Sequence, residues 1–165
     1  QDFVTLEHEI RYVTCYLDIQ SIRFPNRFKL FLDVEPELTQ RRVLKFLIQP
    51  LVENSVSHGL SNGADDGRIE VSAKRVDDDL VLRVSDNGNG MTEEALEKLK
   101  SYIDRADIEE NIDPFAGGVG LRNVHQRMRL YYGRGVEIES QWEEGTVVML
   151  RIPFDKTQPE NEVVI

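Results

Sequence analysis

One cysteine, Cys15, stands in a chain of 165 residues, so no internal disulfide can staple the fold and a reducing compartment is expected. No apolar run approaches the roughly 20 residues that a membrane-crossing helix needs, and no secretory leader is expected. The chain opens on Gln1 rather than Met, and it is expected to be a piece of a longer protein whose membrane segment, if it has one, lies elsewhere. Basic residues are outnumbered, 20 Lys and Arg against 30 Asp and Glu, for a net charge of −10. That balance argues against a nucleic-acid partner or an anionic membrane, which would need a broad basic face. There is no internal repeat, no low-complexity stretch and no Walker-type glycine loop ending in Gly-Lys-Ser/Thr. What is present is ordinary for one well-filled core: 40% hydrophobic and 30% charged residues.

Apolar periodicity divides the chain into elements. Residues from about Thr5 to Phe24 read as a helix with one stripe at Leu6, Ile10, Val13 and Leu17 and a second at Tyr12, Tyr16 and Ile19. A helix apolar on two sides is expected between two partners: the domain that follows, and a second chain or an upstream helix. Phe28 to Val34 reads as a strand. A second helix is expected from about Gln40 to Leu60, with Val43, Phe46, Leu47, Pro50 and Leu51 on its stripe and a kink at Pro50. Ser61 to Gly67 is turn-rich. Two strands follow, Arg68 to Val76 and Leu80 to Asp86, then a helix from Met91 to about Ile103 with Thr92 as its N-cap. Ala106 to Gly118 reads as a mobile loop. Leu121 to Tyr132 is a helix striped by Leu121, Val124, Met128 and Tyr131, and Val136 to Gln141 with Thr146 to Phe154 form a closing hairpin. Asp155 to Ile165 is a polar, frayed tail.

The functional signal is a set of polar residues that continue inward faces. Asn54 lies seven residues after Leu47, within about 20° of the buried stripe. A buried amide without partners costs on the order of 1–3 kcal/mol, so it meets either nearby backbone or a ligand. Asp86 follows Leu80, Leu82 and Val84 on one strand face, and Asn87-Gly88-Asn89-Gly90 then turns the chain. An inward carboxylate beside bare glycine backbone suits a flat hydrogen-bonding ligand, although Asp-Asn-Gly is also plain turn chemistry. Thr146 shares a face with Val148, Leu150 and Ile152, and Gly145 before it permits a close backbone approach. Gly117-Gly118-Val119-Gly120 runs directly into the last helix, where free N–H groups and the helix dipole favour an anion.

Taken in order, Leu51-Val52-Glu53-Asn54-Ser55-Val56-Ser57-His58-Gly59, Asp86-Asn87-Gly88-Asn89-Gly90-Met91, Gly117-Gly118-Val119-Gly120-Leu121-Arg122-Asn123-Val124 and Glu144-Gly145-Thr146 resemble the four boxes of the GHKL superfamily of gyrase, Hsp90, MutL and histidine kinases. Gln49-Pro50-Leu51-Val52-Glu53-Asn54, His58-Gly59 and Tyr132-Gly133, with Leu6-Glu7-His8-Glu9 through Phe24 upstream, are similar to the LytS-like branch of sensor histidine kinases. The resemblance implies an α+β fold, a two-layer α/β sandwich with a mixed sheet, helices on one face and an ATP lid over residues 92–117. It implies a linking helix over residues 1–26, an ATP-binding catalytic domain over 27–155 and a tail over 156–165.

By the same resemblance Asn54 holds magnesium that bridges the ATP phosphates, Asp86 accepts from the adenine amino group, and Thr146 joins it through water. Gly88, Gly90 and Met91 shape the nucleotide wall, while Gly118, Val119, Gly120 and Leu121 approach the phosphates. Pro50 stands where hydrolysing members carry a Glu, so little hydrolysis is expected. Ser57 stands where many kinases carry a phosphate-contacting Lys, and His58 or Arg122 is expected to fill that gap. Glu53 is the candidate to polarise a phosphoacceptor.

None of His8, His58 and His125 lies in an acceptor-like motif. The implied activity is therefore phosphoryl transfer to a histidine on dimerisation and phosphoacceptor helices outside this chain. The parent would be a membrane-anchored bacterial homodimer signalling to a response regulator, with this domain in the cytoplasm. A catalytically silent nucleotide-binding regulatory module and an anti-sigma-type serine kinase are the alternatives.

Overall fold

Thr5 decides where the first helix begins. Its hydroxyl accepts the backbone N–H of His8 at 3.2 Å, a side-chain N-cap, and α1 runs Leu6–Arg23. Leu6, Val13 and Leu17 are buried, with Ile10 packed against them. On the second stripe Tyr12 and Ile19 are 43% and 64% exposed. The computed structural model describes residues 2–59, 66–105 and 119–159.

The expected helix from Gln40 to Leu60 is shorter than its periodicity suggests. Arg42–Leu44 is a strand, β3, antiparallel to β1 (Phe3–Thr5). Helix α2 spans only Ile48–Asn54 and continues as a wider π-helical turn, Ser55–Gly59. Val43 and Leu44 are buried in the strand pair, whereas Phe46, placed on the helical stripe by its spacing, is 43% exposed with φ +60°. Proline explains the difference. Pro50 has no N–H to return to the carbonyl of residue 46, so a helix through both would be broken. In the first turn of a helix that donor is not needed. The chain therefore starts α2 just before Pro50 instead of kinking around it.

Five strands form the main sheet in the order β2-β4-β5-β7-β6. They are β2 (Phe28–Val34), β4 (Gly67–Val76), β5 (Asp79–Asp86), β6 (Glu137–Gln141) and β7 (Gly145–Pro153). Only β2–β4 is parallel; the other three pairings are antiparallel. Ile69 and Val71 of β4, Leu80, Leu82 and Val84 of β5, and Val148, Leu150 and Ile152 of β7 are buried together with residues of α1, α2 and α4. The architecture is thus the expected two-layer α/β sandwich, a mixed sheet with helices on one face.

Helix α3 spans Glu93–Asp104, and its N-cap Thr92 accepts from Ala95 N at 3.2 Å. Helix α4 spans Val119–Tyr132. Its buried stripe is Leu121, Val124, Met128 and Tyr132 rather than Tyr131, which is 41% exposed. The buried ring puts its hydroxyl against the backbone of β3, accepting Leu44 N–H at 3.2 Å. The tail begins in order: Phe154–Thr157 is a 3-10 turn, Thr157 is buried, and the guanidiniums of Arg41 and Arg75 stack on Phe154 at 3.9 and 3.8 Å. The mobile loop expected from Ala106 to Gly118, most of the turn at 61–67 and the tail from 160 onward lie outside the described residues.

Candidate functional site

Helix α2 is too short to hold itself, since isolated helices need about 12–15 residues to be even marginal in water. Its N-terminus is capped by a residue on another helix. Glu9 of α1 is fully buried and accepts three successive backbone N–H groups, Phe46 at 2.6 Å, Leu47 at 3.0 Å and Ile48 at 3.1 Å. These are orphan donors of a helix start, and a carboxylate there also meets the positive end of the helix dipole. Ile48, Leu51 and Val52 bury the inner face. Asn54 ends α2, half-buried, three residues after Leu51 on the same side. The Glu9 cap escapes sequence reading because the contact spans more than 35 residues.

The second wall is the end of β5. Asp86 accepts Gly88 N–H at 2.9 Å through its Oδ1. Burial pushes its carboxyl above the usual carboxylate range, opposed by hydrogen bonds from the Gly88 amide, the Ser55 hydroxyl and the Thr146 backbone. The Ser55 hydroxyl also lies 3.3 Å from the Leu51 carbonyl, and its single proton serves one acceptor at a time. The turn after Asp86 presses against the β6–β7 hairpin. Gly90 has φ +63°, and a Cβ there would stand 1.8 Å from the Gln141 carbonyl oxygen; at Gly145, φ +121°, it would stand 2.0 Å from that of Asp86. Both positions therefore require glycine.

Between α2, α3, α4 and the sheet lies a cavity of about 290 Å³. Its polar lining is Asn54, Ser55, His58, Asp86 and Thr146; Leu51, Met91, Leu99, Leu121, Ile138 and Val148 supply the apolar walls, with Gly90 at the rim. A slot with apolar sides and a few convergent hydrogen-bonding groups is the usual form of a small-molecule site. Of the residues singled out in the sequence, Asn54, His58, Asp86, Gly90, Met91, Leu121 and Thr146 meet here. Ser55, Leu99 and Ile138 were not singled out; Ser55 is the polar residue next to Asn54, and the other two are ordinary apolar positions.

Other candidates sit elsewhere. The Glu53 carboxylate accepts from Gln49 at 3.1 Å and lies near Tyr16 of α1, whose hydroxyl is pushed up in pKa by burial and by that charge. Arg122 donates to the Arg105 carbonyl at 2.7 Å at the end of α3. Gly88 is at the turn outside the cavity lining, and a Cβ on Gly120 would meet Pro50 at 3.5 Å. Gly118 and the Val119 side chain lie outside the described residues. His125 is buried, with Nδ1 accepting Val136 N–H at 3.0 Å and Nε2 2.8 Å from Asp104. It therefore joins α4 to α3 and to the residue just before β6. A separate recess of about 300 Å³, lined by Tyr16, Arg23, Phe24 and Arg27 among others, holds none of the candidate residues.

The sequence profile described as "Histidine kinase-, DNA gyrase B-, and HSP90-like ATPase" matches residues 39–156. The chain belongs to this ATPase family. It is accordingly an ATP-binding domain. Sensor histidine kinase BtsS of Escherichia coli (strain K12) is 31% identical over 155 residues, 93% of this chain and 24% of that protein. Sensor histidine kinase YesM of Bacillus subtilis (strain 168) is 31% identical over 166 residues, 99% of this chain and 25% of that protein. This ATPase domain thus spans about a quarter of the length of these relatives. Among solved structures, the catalytic domain of histidine kinase ThkA superposes with a TM-score of 0.64 at 16% identity, covering 96% of this chain and 97% of that one. At that identity the likeness speaks for the fold alone.

Proposed function

We propose that this domain is the catalytic part of a sensor histidine kinase: it binds magnesium-ATP and passes the γ-phosphoryl group to a histidine on a segment outside residues 1–165. The observation that carries this is the convergence of Asn54, Asp86 and Thr146, from three separate stretches of sequence, on one cavity. The Asp86 carboxylate would accept from the exocyclic amino group of adenine, and the apolar walls would sandwich the ring. The Asn54 amide oxygen would be the protein's ligand to magnesium. Among the described residues no group of three or more His, Cys, Asp and Glu could hold a metal. That fits an ion carried mainly by phosphate oxygens and water, as magnesium prefers. Magnesium held there would neutralise charge on the phosphates; the proposed transfer moves the γ-phosphoryl group from the β-γ bridging oxygen to an imidazole nitrogen, with ADP as the other product.

The acceptor is assigned outside this chain because its histidines are otherwise placed. His125 is buried and bonded at both ring nitrogens, and His8 packs edge-on against Tyr12 with ring centroids 4.7 Å apart. Glu53, near Tyr16 of α1, would polarise that incoming acceptor. His58, in the cavity lining, would serve the phosphates. Gly118, Val119, Gly120 and Arg122 would also contact the phosphates. The names of BtsS and YesM support a longer sensor kinase. The parent would be a membrane-anchored homodimer, its kinase domain in the bacterial cytoplasm, phosphorylating a response regulator. Among the described residues no helix is long and apolar enough to cross a membrane.

Calorimetric titration with a non-hydrolysable ATP analogue, with and without magnesium, tests the reading. Binding should be lost in Asp86→Asn and lose its magnesium dependence in Asn54→Ala. Undiminished binding by Asp86→Asn would reject the site.

A further inference from the structure

Three strands bring three polar side chains into one row. Asp86 of β5 pairs with Thr146 of β7, and Thr146 pairs with Ser140 of β6. The next row on the same face is Val84, Val148 and Ile138, all buried. Ser140 does not line the nucleotide cavity, yet its hydroxyl has three partners. Met91 N–H, the Gly145 carbonyl and Thr146 Oγ1 each lie 2.9 Å from it.

The protons in this cluster have one consistent arrangement. The Met91 amide can only donate and the Gly145 carbonyl can only accept, so Ser140 accepts from the first and donates to the second. Its single proton is then used, and the remaining 2.9 Å contact requires Thr146 to be the donor. The reverse would leave lone pairs of Ser140 and Gly145 facing each other at hydrogen-bond distance. Ser140 Oγ thereby makes one donation and receives two, its full capacity, and Thr146 turns only lone pairs toward the cavity.

We infer that Ser140 is a specificity-determining positioning residue that, by holding the Thr146 proton away from the cavity, makes its floor accept hydrogen bonds and so selects a 6-amino purine over a 6-oxo purine. This rests on the nucleotide-binding reading above and deepens it. An amino group donates to the Asp86 carboxylate. A 6-oxo group would set its oxygen against that carboxylate with no Thr146 proton to relieve it, the Ser55 proton being already engaged by Asp86 or the Leu51 carbonyl. Released from Ser140, the Thr146 hydroxyl can rotate its proton into the cavity and serve the oxo group, directly or through a water.

ADP and inosine diphosphate share sugar and phosphates and differ at this edge of the base, so calorimetry with both isolates the effect. Wild type should prefer ADP. Ser140→Ala should reduce the ADP-to-IDP affinity ratio by roughly tenfold, about one hydrogen bond to a polar group. Ser140→Thr, which keeps the hydroxyl, should retain the ratio, and Ser140→Cys, a similar volume with a poor acceptor, should lose it. A thermal melt of each variant establishes that it is folded. If Ser140→Ala and Ser140→Cys weaken both nucleotides by the same factor, the residue is merely structural and the inference is wrong. If wild type binds neither nucleotide, the nucleotide reading itself fails, a different result from an unchanged ratio.

Discussion

The Glu9 carboxylate of α1 accepts the backbone N–H of Ile48, the first residue of α2, at 3.1 Å. The same side chain takes the amides of Phe46 and Leu47, so one buried group ties α1 to the start of the helix that ends at Asn54. Removing it strands three backbone donors, those of Leu47 and Ile48 in the buried interior. Glu9→Ala is expected to destabilise the domain by about 3 kcal/mol or more, read as a shift in the urea midpoint. Glu9→Gln, which keeps one acceptor oxygen, should fall between it and wild type. A Glu9→Ala midpoint indistinguishable from wild type would mean that water reaches these amides and the cap is dispensable.

Asp86 places function and stability in opposition. Burial raises its carboxyl pKa above the ordinary value, so the folded state keeps that proton to a higher pH than the unfolded chain does. Between the ordinary and the raised value the native state binds more protons, and stability falls as pH rises through that window. Above that window the whole cost is present. Above that window Asp86→Asn should therefore unfold at a higher temperature than wild type, the gap closing as pH falls toward the ordinary carboxylate range, while the proposed nucleotide binding is expected to be lost. A gap that stayed constant with pH would show that ionisation of Asp86 is not its source.

Two glycines with left-handed backbone separate strain from collision. At Gly133, φ +72°, an added Cβ meets nothing within 4 Å, whereas at Gly90, φ +63°, it meets the Gln141 carbonyl oxygen at 1.8 Å. Gly133→Ala should cost about 1 kcal/mol, the backbone penalty alone. Gly90→Ala should cost at least about 3 kcal/mol, since the β5–α3 turn must also part from the β6–β7 hairpin. Chemical denaturation of both variants checks the difference; equal losses would mean that the turn yields freely.

Much of the architecture was legible before any coordinates. Period-two alternation through Leu80, Leu82, Val84 and Asp86 located β5 and the inward carboxylate, because the pleat alone sets which side chains share a face. The bounds of β2 and the N-cap Thr92 follow from chemistry within four residues of each boundary, which a sequence displays directly. Asn54 was reached on the correct side of α2 from a helix drawn too long, since Leu51 fixes the same face as Leu47.

Contacts between distant segments were decided by the tertiary structure. Periodicity at Val43 and Phe46 read as helix, yet β3 pairs with β1 near residue 4 and Glu9 caps the chain after it, and neither partner is visible in a local window. Tyr132 displaces Tyr131 from the core because its hydroxyl finds the β3 backbone. The row Asp86–Thr146–Ser140 exists only because β5, β7 and β6 lie side by side in one register. From its own amino acids the chain determined most of its elements, their inward faces and its family motifs, which depend on neighbours a few residues away. Which buried donor meets which acceptor depends on strand register and helix docking, and there the fold alone set the direction of the Thr146 proton and the cap on α2.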